Sequence, residues 1–484
     1  MSDLAAPPGN PAASGSAPSR AVSGPSRAVT QAYARFALEL AFEDIPADVV
    51  EIAREQILAT LGSCYAGSKM PGAASVAAGL KILGTGAAST LFGAPGRMPA
   101  PSAALYNSAV AQIIEWDDWV IISHTGAAVV PTAFAVGELA GASGRDVITA
   151  VVVGNEINGR TSRAIQRGAY VGNSMPNHQI ETPLVASRLL GLSTVQAQRA
   201  VSHSGFLAME SCPIGWMSDS KVLCNGLPAM WGIVAASLAG QGLVGNLDMI
   251  EHPAGLLSTV SEVVDEKELL QGLGSEWYTR TLNTKRHPSC AYNLSAIECA
   301  LALRARIPDF DPLRVSRLEV EGPGVMLYVA SRFQALEPDV YRQIEQEAIT
   351  HVALCFDAGY GIMAALVDGE LGHRQYLRER ILSPEIAHLR SCIRFRADAA
   401  MHAAYYADYQ YGARVRITMS DGREYVEERR QLLGARDRPF DHAIKFREGA
   451  SGLLEPERIE VAIRALRELD RCSDVRHVTG ILQI

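Results

Sequence analysis

The chain reads as a mainly α protein with an inserted α+β domain: a large all-helical domain plus a smaller α+β lid domain. Three features carry that expectation. Apolar residues fill 48% of 484 positions and charged residues 20%, the balance of a well-packed chain too long for one core. From residue 29 to about 274, apolar side chains recur at the helical period. After residue 284 the pattern shifts to two-residue alternation, and helical periodicity returns near the end. The expected layout is a disordered tail over 1–28, the helical domain over 29–283, the lid over 284–430 and a helical return over 431–484.

Each element has a local signature. Residues 1–28 are Pro, Gly, Ser and Ala with almost no bulky side chain, too little apolar surface to offset ordering entropy. Arg20, Arg27 and several serines resemble a transit peptide, but Asp3 and the missing apolar face favour a plain tail. Ile45-Pro46-Ala47 starts a helix on which Val49, Ile52, Ala53, Ile57 and Leu61 share one face. Asp146 opens the run 147–157. Ser193 is an N-cap for 194–203, just after a helix that ends at Gly191. The stretch 226–245 is rich in Ala and Gly, as where helices approach closely. In the lid, 315–321 and 392–396 alternate as half-buried strands, and 414–419 with 424–428 flank the turn Ser420-Asp421-Gly422. Helices are expected at 294–305 and 344–366. From Asp441 onward the chain is helical again, with Pro456 at a helix start, and is expected to pack back onto the first domain.

Composition also limits the function. A net charge of −8 and a pI near 5.8 give no cationic field for nucleic acid. Eight scattered cysteines with no CxxC pair fit reduced thiols in a cytoplasmic setting, not a disulfide framework or structural zinc. No run of roughly 18 uninterrupted apolar residues occurs, so no membrane span is expected.

The chemistry is expected around residues 111–126, AQIIEWDDWVIISHTG. Glu115, Asp117 and Asp118, two indoles (Trp116, Trp119) and His124 crowd together between two apolar runs, 103–114 and 127–142. Acids and an imidazole between buried helices are costly to desolvate unless they pair or meet a ligand; taken alone, the stretch reads equally as a surface turn. Three further polar segments sit in apolar surroundings: 172–179 with His178, 218–226 with Lys221 ahead of a small-residue helix, and 284–292 with Lys285, His287 and Cys290. Each by itself also reads as a capping loop, a solvated lysine or a hinge. A cation at a helix start favours an anionic ligand, and clefts between domains are where small molecules bind. No phosphate-binding glycine loop in its strand–turn–helix context and no GxSxG elbow occurs. The toolkit is that of proton chemistry on a small polycarboxylate.

The order and spacing of five blocks resemble the MmgE/PrpD family, which contains 2-methylcitrate dehydratases, cis-aconitate decarboxylases and iminodisuccinate epimerases. The blocks are ALYNSAVAQIIEWDDWVIISHTG with its following helices, the His178 loop with ASRLLGLS, SKVLCNGLPAMWGIVAASLAGQGLVG, KRHPSCAYNLSAIECAL and HAIKFREGAS. The resemblance covers roughly 30–484. It implies an active site between helical body and lid, a homodimer, no organic cofactor and no metal. It assigns Asp117, His124, His178 and Lys221 to catalysis, with Lys221 and Lys285 on substrate carboxylates. Glu115, Trp119, His287 and Cys290 are implied as further substrate contacts. Departures are visible: Glu115 stands for the family's leading Asp, Trp119 for a small hydroxyl residue, and Val120-Ile121-Ile122 for a His-Pro step. Neither Cys290 nor Leu294 is the histidine of the decarboxylases. The expected activity is therefore dehydration of a hydroxylated di- or tricarboxylate, like a 2-methylcitrate dehydratase, with a substrate larger or less polar than methylcitrate. The alternatives are a decarboxylase or epimerase using the same site, or a non-catalytic carboxylate-binding relative. If a histidine is the base, activity falls as pH drops through the range near ~6.5.

Overall fold

Why the end of the chain returns to its beginning is visible at one helix crossing. The computed structural model describes residues 28–166, 175–209, 212–336 and 338–484; nearly all of the expected 1–28 tail lies outside them. Helix Ala47–Gly67 starts right after Pro46, as the sequence predicts, and is crossed by helix His442–Ala450. A Cβ on Gly449 would lie 2.0 Å from the Gly62 carbonyl oxygen, so only a glycine pair lets the two backbones approach this closely. Tyr65 and Phe446 meet edge-to-face beside the crossing, ring centroids 5.6 Å apart. The body is built from these helices with Ala100–Gln112, Gly126–Ala140, Gly144–Ala164, Met175–Leu189, Thr194–Gly205 and Leu223–Gly240. Capping boxes at Ser143/Asp146 and Ser193/Gln196 fix two of the starts. Among the described residues, one segment, 219–240, is long and apolar enough to cross a membrane, and 61% of its most apolar window is buried inside the protein.

The segment 315–429 holds a four-stranded sheet: β1 Val315–Gly322, β2 Ile393–Ala397, β3 Ala413–Met419 and β4 Glu424–Arg429, in the order β4-β3-β1-β2. β1 and β2 are parallel; the other pairs are antiparallel. The β3–β4 hairpin turns at Gly422, whose φ of 84° is the left-handed conformation glycine tolerates. β3 alternates buried and half-buried residues, and helix Leu294–Arg306 packs on β3 and β4. One expectation fails. The predicted helix over 344–366 is broken into Val340–Glu345, a 3₁₀ turn His351–Cys355 and helix Tyr360–Asp368. Glu347 takes a φ of 58°, and the Asp357 carboxylate accepts the Gly359 and Tyr360 N–H groups at 2.7 and 2.9 Å to start the last helix. The released turn makes contacts a helix would forbid: Cys355 O accepts from Cys290 N at 2.9 Å, and His351 Nε2 donates to Ile113 O at 3.0 Å.

Buried apolar residues fall into two main clusters, with a small Ala-rich third. One draws on both ends of the chain, from Val29 to Trp277 and from Ala443 to Leu482. The second spans Cys290 to Ala435 and takes in Trp116, Trp119, Trp216 and Val222 from the helical part. Trp119 meets Tyr411 within that second cluster, with ring centroids 5.7 Å apart, so the acids beside it lie at the seam.

Candidate active site

The acid stretch begins where helix Ala100–Gln112 runs out. Glu115 N–H donates to Gln112 O at 2.9 Å, and Glu115 itself adopts a φ of 56°. A left-handed non-glycine residue costs roughly 1–2 kcal/mol, and here it turns the carboxylate inward. Asp118–Trp119 then pairs antiparallel with Asn283–Thr284, and Lys285 N donates to Asp117 O at 3.2 Å. This short ribbon sets the basic loop beside the acid loop, 170 residues apart in sequence.

The charges interlock. Lys221 Nζ bonds the Glu115 carboxylate and donates to Gln112 O at 3.2 Å. Lys285 Nζ lies 2.8 Å from Glu115 Oε1 and 2.6 Å from Asp117 Oδ1. Asp117 Oδ2 lies 2.9 Å from His124 Nδ1 and accepts from Gln112 Nε2 at 3.2 Å. Burial alone would raise both acids, but it is outweighed: His124 and Lys285 hold Asp117 well below the usual carboxylate range, and Lys221 and Lys285 hold Glu115 below it. Burial disfavours the Lys285 ammonium, yet Asp117 and Glu115 hold its pKa above the ordinary value. Two carboxylates thus balance two ammonium groups. Glu115, Asp117 and His124 bring donor atoms within 4.8 Å of one another, but these ammonium groups already neutralise the carboxylates a metal cation would need.

His124 sets Nδ1 against the Asp117 carboxylate, borders a cavity and has its side chain 15% exposed. His178 stands one layer behind. Its Nδ1 contacts Glu181 Oε1 at 2.5 Å, while Asn225 Nδ2 lies 3.1 Å from its Nε2 and donates to His124 O at 2.9 Å. Asp118 serves the backbone, accepting the Gly126 N–H at 2.8 Å at the start of helix Gly126–Ala140. Lys445 donates to Trp116 O at 2.6 Å and lies 5.2 Å from the Trp116 ring; burial pulls its pKa down to about 7 against the opposing pull of Asp118 and Asp117.

The cavity, of about 60 Å³, opens where the acid loop meets the 290–292 and 405–411 segments, touching Glu115, His124 and Cys290. The rest of its wall is largely aromatic: Trp119, Trp216, Tyr292, Phe333, Phe356, Tyr405 and Tyr411. Trp119 stacks edge-on against Tyr411 at 5.7 Å. Ile121 and Ile122 form the tip of a two-residue turn closed by Val120 and Ser123, and Ile121 has a φ of 58°, a strained state for a β-branched residue. Burial, reinforced by Glu115, pushes the Cys290 thiol up to about 11, so it is neutral.

The structure brings Glu115, Asp117, His124, Lys221 and Lys285 together, with Trp119 and Cys290 on the cavity wall. Three placements differ from expectation, and the first is His178, which lies behind His124 and off the cavity wall. Lys221 and Lys285 face the chain's own acids instead of the cavity, because the longer Glu115 side chain reaches both; the anion expected beside Lys221 is internal. His287 is not on the cavity wall: its ring is buried beside Arg286 and the Leu371 backbone, and burial lowers its pKa to about 3. Asn225 and Lys445, not singled out beforehand, lie inside two of the five sequence blocks. The aromatics of the 284–430 segment had no local signal, since spaced aromatics in helices and connecting turns read as core.

Residues 31–268 match the MmgE/PrpD N-terminal domain, and residues 287–471 match the MmgE/PrpD C-terminal domain. The chain is 25% identical to a cis-aconitate decarboxylase of Aspergillus terreus over 94% of this chain and 96% of that protein. It is 24% identical to the cis-aconitate decarboxylase of Homo sapiens, covering 94% of each chain. A cis-aconitate decarboxylase-like protein of Aspergillus oryzae is 24% identical, over 94% of this chain and 97% of its own.

Proposed function

Because the chain belongs to the MmgE/PrpD family, we propose that it is a lyase acting next to a carboxylate, a decarboxylase in the first place. The expected dehydration becomes the second reading, since the relatives above are named decarboxylases. The missing histidine near Cys290 and Leu294 argued the other way, from two positions; similarity along nearly the whole chain outweighs it. The observation that carries the reading is the Asp117–His124 contact at 2.9 Å beside the cavity.

Asp117, ionised and buried, keeps the proton on Nδ1 of His124 and steadies the imidazolium when it forms. In a decarboxylation, the C–C bond to the departing carboxylate breaks and CO₂ leaves. The electron pair passes into the adjacent double-bond system, and Nε2–H of His124 delivers a proton to the far carbon. In a dehydration the same nitrogen, unprotonated at the start, takes a proton from the carbon beside a carboxylate; the double bond forms as the hydroxyl leaves as water, carrying back that proton from the imidazolium. Asn225 ties His124 to His178, which orients the pair and stays out of the reaction. A cytoplasmic homodimer belongs to the same proposal.

The test uses the purified chain with cis-aconitate, 2-methylcitrate, citrate and iminodisuccinate, following CO₂ release and alkene absorbance separately. CO₂ release that disappears in His124→Ala supports the first reading. Alkene formation without CO₂ supports the second, and turnover indifferent to His124→Ala removes both.

A further inference from the structure

We infer that the substrate carries an apolar substituent, a ring or branched alkyl group, where a tricarboxylate carries one of its carboxylates, and that Phe333 limits the length of that substituent. This rests on the lyase reading above and names its substrate class.

Charge is the first support. Among the described residues on the cavity wall there is no lysine or arginine. The nearest ammonium groups, Lys221 and Lys285, are 1% and 0% exposed and are matched by Glu115 and Asp117. What remains to meet an incoming carboxylate is the His124 ring, with the Tyr292, Tyr405 and Tyr411 hydroxyls. Three carboxylates packed into such a wall would be desolvated without partners, at a cost of several kcal/mol each.

Shape is the second. Trp119, Tyr292, Tyr411 and Trp216 give the cavity faces and edges suited to an apolar group. Phe333 and Phe356, whose ring lies 5.5 Å from Lys221 Nζ, are stacked with centroids 4.5 Å apart and planes at 24°. Phe333 also lines a second, outer cavity of about 660 Å³ with Val340, Tyr341 and Arg390. Phe333 thus borders both spaces, so a substituent too long for the inner one must displace it or pass it.

The probes are two compounds of one skeleton, tricarballylate and benzylsuccinate, the latter with phenyl in place of a terminal carboxylate. Isothermal titration of the full chain at neutral pH is expected to show benzylsuccinate binding roughly ten- to a hundredfold tighter, the value of burying one phenyl group. Trp119→Ser is expected to shrink that preference, and Phe333→Ala to admit a phenylpropyl-substituted succinate that the parent protein binds at least tenfold more weakly. Equal or tighter binding of tricarballylate overturns the inference while leaving the lyase reading intact. Failure of both probes to bind, with no turnover of the four acids above, overturns both together. Unchanged ligand preference in a folded Phe333→Ala protein removes Phe333 from the inference.

Discussion

Replacing Glu115 by glutamine tests whether the site is one electrostatic unit. The side chain keeps its length but loses its charge, and the Lys221 ammonium, 1% exposed, is left with the Gln112 carbonyl at 3.2 Å. Lys285 keeps Asp117 at 2.6 Å, so one ammonium is orphaned. Breaking a buried pair in this way costs about 3–5 kcal/mol. With an unfolding entropy of roughly 2.1 cal/mol/K per residue, a chain of this size melting as one unit has ΔS near 1 kcal/mol/K. The midpoint therefore falls by about 3–5 °C. Lys221→Met alone leaves Glu115 with Lys285 and costs less. The double variant removes both charges and leaves the Lys285–Asp117 pair intact, so its loss is smaller than the two single losses added together. Denaturant unfolding of the four proteins gives the coupling directly, expected at about 2–3 kcal/mol. A coupling below about 0.5 kcal/mol would refute the idea that Glu115 and Lys221 neutralise one another.

Asp117→Asn should keep the fold, checked by circular dichroism, and lower kcat by about 10²–10⁴-fold, because the amide no longer holds the His124 tautomer; an unchanged kcat contradicts the dyad. His287 has its pKa lowered by burial from 6.5 to about 3. The unfolded chain therefore binds more protons between those values, so this stability is present above pH 6.5 and lost as pH falls through about 3. His287→Gln should flatten the acid limb of a melting-temperature profile, and an unchanged limb rejects the assignment. In Gly449→Ala the new methyl would sit 2.0 Å from Gly62 O, so the helix pair separates at a cost of about 1–3 kcal/mol, read as a lower urea midpoint; a neutral substitution would mean the crossing is slack.

Periodicity alone fixed most helix positions, because core-facing residues must repeat every 3.6 positions whatever they pack against. The alternation of 315–321 and the Asp421-Gly422 turn did the same for the sheet, with Gly422 at the required positive φ. The segment 344–366 was misread for the same reason: its apolar pattern is real, but contacts from Cys290 and Ile113 hold the 351–355 turn out of the helix. The sequence also showed which acids, imidazoles and cations were out of place in apolar surroundings, since the cost of desolvating a charge is local. It could not say what satisfies each one. Only the tertiary structure decided that Lys221 and Lys285 neutralise Glu115 and Asp117, because those partners lie 170 and 106 residues apart for Lys285 and Lys221 to Glu115. Most of the aromatic wall is likewise assembled from residues of the 284–430 segment, which meet Trp119 and Trp216 only when the chain folds. Residue type follows from burial along the chain, but pairing is set by which surfaces the folded backbone brings into contact.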